Sequence, residues 1–171
     1  MGEAGRPALN ATLAAGSIAI ILNTLALKVA DLIPLATAKG GLLRLITPWL
    51  TPVLQLFGVA GVWASLAGPP VTSSAFQTGF HLAVGMAMAI AYAFAIEPHL
   101  PGRPFVKGMI YALMVWLLNA FVLLPATGER VAGSAHLTAP GVLWFAAAHT
   151  LFFVTLAMLY AAFRRRSHDA I

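Results

Sequence analysis

Four residues carry groups that could do chemistry inside an otherwise apolar sequence: Lys28, Asp31, His81 and His149. Lys28 and Asp31 are three apart, so they share one helical face. An imidazole titrates near neutral pH and is also a common metal ligand. The four together could hold and pass a proton or an ion. His81, His149 and Asp31 could instead ligate a divalent metal, and the two histidines could ligate a haem iron axially. A third reading is structural: each histidine hydrogen-bonds a neighbouring helix and holds a bundle together. Each group lies in or beside a long apolar run, where an ionisable side chain costs about 2.5–3.5 kcal/mol on insertion scales. Asn119 and the tyrosines Tyr92, Tyr111 and Tyr160 are weaker members of the same set.

The elements that position these residues must be membrane spans. The chain has 171 residues, 60% hydrophobic and 9% charged, with a mean hydropathy of +0.88. Soluble domains carry about 25% charged residues. At 9% the surface of a soluble domain could not be covered. A soluble enzyme and a disordered chain are both excluded on this ground, which leaves an integral membrane protein in contact with the lipid bilayer. The net charge of +5 then reads as topology signals and headgroup contacts, with no nucleic-acid partner expected. The absence of cysteine excludes disulfides and thiolate metal centres.

Four spans are expected. The first covers about 11–32 and includes most of the charge-free run Pro7 to Leu27, which is too long for a cleaved leader's apolar region. From Leu45 to Ile96 there are 52 residues without Asp, Glu, Lys or Arg, divided by Gly68-Pro69-Pro70. The second span is the later part, about 75–97. The earlier part carries Pro48, Pro52 and Trp49, and about 40–68 is expected to be interfacial or re-entrant. The third span covers about 105–125, ending at Pro125, and the fourth about 140–163, stopped by Arg164-Arg165-Arg166. The fold class is thus an all-α four-helix membrane bundle in a single domain.

With a cytoplasmic N-terminus, Arg6, Arg103, Lys107 and Arg164 to Arg166 lie inside, against Lys39, Arg44 and Arg130 outside. The alternative of five spans gives a slightly better charge count. The proline-rich start of 49–68 favours four, with both termini cytoplasmic.

On the second span, His81, Gly85, Met88 and Tyr92 follow i, i+4, i+7, i+11. On the fourth, His149, Phe153, Leu156 and Tyr160 repeat that spacing, a weak internal similarity that fits two helix pairs related by an axis along the membrane normal. On the third, Gly108, Ala112, Val115, Asn119 and Val122 form a stripe. Its small residues permit close approach and Asn119 could bond across helices. Gly79 and Gly85 suggest the same on the second span. Glu97 is placed to pair with Arg103 or Lys107. His99, His136 and His168 read as solvated. No nucleophile–base set, phosphate loop or pair of catalytic carboxylates is visible, so an enzyme is not expected.

Lys28-x-x-Asp31-x-x-Pro34, His81, Tyr92, Glu97, Gly108, Pro125, Gly128 and His149 before a basic end resemble the YagU-like family of small bacterial inner-membrane proteins. The similarity covers about residues 20–166. It implies four spans and an inner-membrane location, and supplies no reaction. The family's pattern has a histidine in the third span where this chain has Asn119-Ala120, which weakens a multi-histidine metal site.

The leading expectation is a non-enzymatic polytopic protein with a polar intramembrane site at Lys28, Asp31, His81, His149, Tyr92 and Asn119, linked to proton or ion binding or permeation. The alternatives are an accessory subunit packed against other membrane-protein subunits, or a copy of itself, and a haem- or metal-bearing electron carrier. No cofactor is the simplest expectation.

Overall fold

The computed structural model describes residues 9–32 and 73–169, and side chains over 9–30 and 73–166. The expected segment at 40–68 lies outside the described residues. Every regular element among them is helical. Helix α1 is Leu9–Leu32. Helix α2 is Ser74–Ala91 and continues into a π-helical turn, Tyr92–Ile96. Helix α3 is Pro104–Leu118, followed by a second π-helical turn, Asn119–Leu123, and a last turn, Leu124–Ala126. Helix α4 is Ala139–Asp169.

Four helical stretches are long and apolar enough to cross a membrane: Leu9–Ala30, Ser74–Ile96, Pro104–Ala126 and Ala139–Arg166. The chain is built as a multi-pass membrane protein. The ends follow from local chemistry. Ser73 caps α2, its hydroxyl accepting from the Phe76 N–H. Pro104 occupies the first turn of α3, where its missing N–H costs nothing. Pro125 does not itself stop the helix, which ends one residue past it, close to the expected end at about 125. The π-helical turn just before it shifts the hydrogen-bond register, and the helix runs to Ala126. The three arginines do not stop α4 either. Arginine is a good helix former and its charge suits a helix C-terminus, so the helix carries them on to Asp169.

Helix α4 lies between α1 and α3, and α1 also packs on α2. The late part of α1 meets the early parts of α2 and α4, so α1 is antiparallel to both. That is the pairing a four-span bundle requires. Between α2 and α3 the backbones stand further apart. There the Tyr111 hydroxyl donates to the Met88 carbonyl at 3.2 Å and its ring stacks on Tyr92 with centroids 5.7 Å apart.

Lipid is as apolar as leucine, so the helices gain little by hiding leucines from it. Leu13, Ile21, Leu25, Leu113, Phe121 and Leu143 accordingly face outward. Small residues fill the inside, where they let backbones approach: Ala11, Ala15 and Ala19 on α1, Ala89 and Ala93 on α2, Ala112 on α3, Ala157 on α4. Gly108 is the tightest crossing of α3 and α4. A Cβ there would lie 2.8 Å from the Val154 Cα and 2.9 Å from the Phe153 carbonyl oxygen. Gly16 and Gly85 face Ala89 and Ile20 in the same manner across the α1–α2 contact. Gly79, expected to serve likewise, has nothing within 4 Å of its Cβ position.

Gly108→Val should therefore destabilise the bundle by about 1–3 kcal/mol or more, since backbone atoms must shift to admit the side chain. Gly79→Ala should be neutral or slightly stabilising. Unfolding in lipid–detergent mixtures checks both, and equal effects at the two sites would contradict the packing described.

Candidate intramembrane polar site

The middle of α1 carries a side chain that binds two other helices. Asn23 is buried to 1% exposure. Its Nδ2 donates to the Ala148 carbonyl of α4 at 2.8 Å, and its Oδ1 lies 2.9 Å from the Nε2 of His81 on α2. Sequence reasoning missed this residue. Three residues further along α1, the Ala26 carbonyl accepts from Trp144 Nε1 of α4 at 3.0 Å. The late part of α1 is thus tied to α4 twice and to α2 once.

These contacts fix the tautomers. The Asn23 amide nitrogen is committed as a donor to a carbonyl, so Oδ1 is the atom offered to His81. An oxygen without a proton can only accept, so His81 carries its proton on Nε2 and leaves Nδ1 basic. His149 is the reverse case. Its Nδ1 lies 2.8 Å from the Phe145 carbonyl, one turn earlier on α4. That nitrogen must be the N–H, and Nε2 is left basic. The ring also lies against Phe145, centroids 4.1 Å apart. Asn23 bonds the peptide preceding His149, and the two imidazoles lie in electrostatic range of each other.

The expected site residues separate into groups. His81 and His149 come together around Asn23. Lys28 is exposed, five residues from Asn23 and so about 140° round the helix from it. It is not brought into the cluster. Asp31 lies in the last turn of α1, and its side chain is outside those described. Asn119 does not bond across helices. It sits at the π-helical turn of α3, and its Nδ2 donates to the Val115 carbonyl one turn back at 3.0 Å, which satisfies it locally.

Tyr92 belongs to the other end of the bundle, eleven residues or about 16 Å of helix from His81. There it stacks on Tyr111 and meets Tyr160 edge-on, centroids 5.9 Å apart. The matched spacing on α2 and α4 thus has a structural outcome. The histidines face one region, and the tyrosines eleven residues on meet each other.

Beyond the tyrosines, Glu97 ties three helices. Its carboxylate accepts from Lys107 of α3 at 3.0 Å and from Arg164 of α4 at 3.5 Å. Lys107 was expected here. Arg164, which also lies 5.6 Å over the Tyr160 ring, is a second partner that the sequence did not point to. The connection between α3 and α4 carries a further surprise. Glu129 is buried there, and its Oε2 lies 2.6 Å from Nδ1 of His136. His136 is largely exposed, as expected, yet it covers a carboxylate. Arg130 and Ala132 hold positive φ in the same connection, at 58° and 55°.

Among the described residues, no three of His, Asp, Glu or Cys gather as a metal site. Axial haem ligation through Nε2 would require His81 to give up Asn23. In comparisons with protein-family models, with curated proteins and with solved structures, no match was found.

Asn23→Ala leaves the Ala148 carbonyl and the His81 N–H without partners, and should cost about 1–3 kcal/mol. That exceeds the average of about 0.6 kcal/mol for one interhelical hydrogen bond in a membrane, because two are lost. His81→Ala alone should cost less. Equal stability of Asn23→Ala and wild type, measured by reversible unfolding in bicelles, would remove the bridge from the account.

Proposed function

We propose that this is a non-enzymatic multi-pass membrane protein in which Asn23, His81 and His149 form a proton-accepting site. Protonation there is coupled to the binding or passage of a small ion through the bundle. The observation that carries the reading is the double hydrogen bond of Asn23. It holds His81 by the nitrogen that is already protonated, so the opposite nitrogen can take a proton without breaking a contact between helices. His149 is held the same way by its own backbone. Both rings can therefore gain a proton without giving up the hydrogen bonds that orient them. Ionisable groups inside a membrane are costly and commonly serve such relays.

A bacterial inner-membrane location, cytoplasmic termini and kinship with the YagU-like proteins belong to the same proposal. They rest on the charge distribution and on the scattered matched residues from Lys28 to His149.

Proteoliposomes loaded with a pH-sensitive dye test the proposal. After an acid jump, wild type should dissipate the gradient, and His81→Ala and His149→Ala should each slow this by about tenfold or more. Wild-type rates no faster than empty liposomes, or unchanged rates in both variants, would overturn it. Stoichiometric companion chains on purification, with insensitivity to both substitutions, would favour the accessory-subunit reading instead.

A further inference from the structure

At the end of the bundle opposite His81, a groove of about 550 Å³ opens between the start of α3 and the last turns of α4. It is lined by Arg103, Pro104 and Phe105 on one side and by Met158, Ala162 and Arg165 on the other. The three α4 residues follow i, i+4, i+7, so one stripe of that helix forms a wall. We propose that this groove is a binding site for one anionic phospholipid, with Arg103 and Arg165 holding the phosphodiester and Phe105, Met158 and Ala162 receiving an acyl chain.

Charge comes first. Nearby Glu97 is taken by Lys107 and Arg164. Among the described residues no carboxylate pairs with Arg103 or Arg165, and both side chains are exposed. Two guanidinium groups, one at the start of α3 and one on α4, thus flank one opening, and neither pairs with a described carboxylate. Their planar forks suit phosphate oxygens.

The order of the lining distinguishes a lipid from a soluble phosphate. Arg165 lies in the last turns of α4, and Met158 is seven residues earlier, about 10 Å toward the apolar middle of the span. On α3 the same order holds, with Arg103 before the helix and Phe105 inside it. Phe105 and Met158 are 53% and 48% exposed on the outer surface of the bundle, where acyl chains lie. The groove is therefore cationic at the headgroup level and apolar below, which matches an amphiphile oriented as in a leaflet. Free phosphate would use only the upper half.

Native mass spectrometry of the full chain in mild detergent tests this, with phosphatidylglycerol, phosphatidylcholine and inorganic phosphate as probes. Wild type should retain one phosphatidylglycerol in preference to phosphatidylcholine. Arg103→Gln/Arg165→Gln should weaken retention by about tenfold or more, as two headgroup contacts are lost. Arg166→Gln, which removes a neighbouring charge outside the groove, should retain wild-type binding. Phe105→Ser should weaken phosphatidylglycerol binding with the arginines intact. All four positions are exposed, and far-ultraviolet circular dichroism verifies that each variant remains helical. Equal retention of both lipids, equal loss in Arg166→Gln, or displacement of the lipid by millimolar phosphate would overturn the proposal.

Discussion

The amide of Asn23 must find partners where there is no water to supply them. In a bilayer every buried polar group is satisfied by protein or pays several kcal/mol. Asn23 meets this demand by donating to α4 and accepting from α2 at once. The consequence is geometric as much as energetic. One side chain sets the rotation of α1 about its axis, its antiparallel register against two helices, and the tautomer of His81. The flanking Trp144 to Ala26 bond repeats the constraint one turn away.

The rest of the bundle answers that constraint. Near Asn23 the surfaces of α1 and α2 approach closely, with Gly85 against Ile20, and Gly16 meets Ala89 further along the same contact. Toward the other end the core becomes aromatic, with Tyr92, Tyr111, Phe153 and Tyr160 in mutual ring contact. Glu97 then closes that end by joining α2, α3 and α4. One three-helix tie is neutral and buried within the span, and the other is ionic and at its edge. Helices α2 and α4 take part in both, and α4 packs against both α1 and α3. The two ends thereby acquire different chemistry: imidazoles with a bare basic nitrogen at one, and at the other two arginines, Arg103 and Arg165, that pair with no described carboxylate.

Much of this was legible in the sequence. Charge-free runs bounded by prolines and basic residues mark the four helices that are long and apolar enough to cross a membrane. The i, i+4, i+7, i+11 spacing shared by the second and fourth spans finds the faces that carry the His pair and the Tyr pair. Asn23 was missed because an asparagine beside Thr24 in an apolar run looks unremarkable without a partner in view. A signal was present. Thr12, Gly16, Ala19 and Asn23 follow that same spacing on α1, and Thr12, Ala19 and Asn23 are all buried. Lys28 stands out in the sequence because it is charged, but charge near a helix end is easily placed at the surface, and Lys28 is exposed. Asn119 shows the converse error: an amide can be satisfied by its own helix, and spacing alone does not tell which carbonyl it will use. His136 illustrates a third limit, since a loop histidine's partner depends on a backbone path with left-handed residues that no periodicity reveals.

The most direct test of the account is nitrogen-15 NMR of the histidine side chains in lipid bilayers at neutral-to-alkaline pH. The Asn23 bridge requires the neutral His81 ring to carry its proton on Nε2 and the neutral His149 ring on Nδ1. In Asn23→Ala, His81 should lose that preference and His149 should keep its own. A His81 ring protonated on Nδ1 in wild type, or one indifferent to the loss of Asn23, would contradict the central claim.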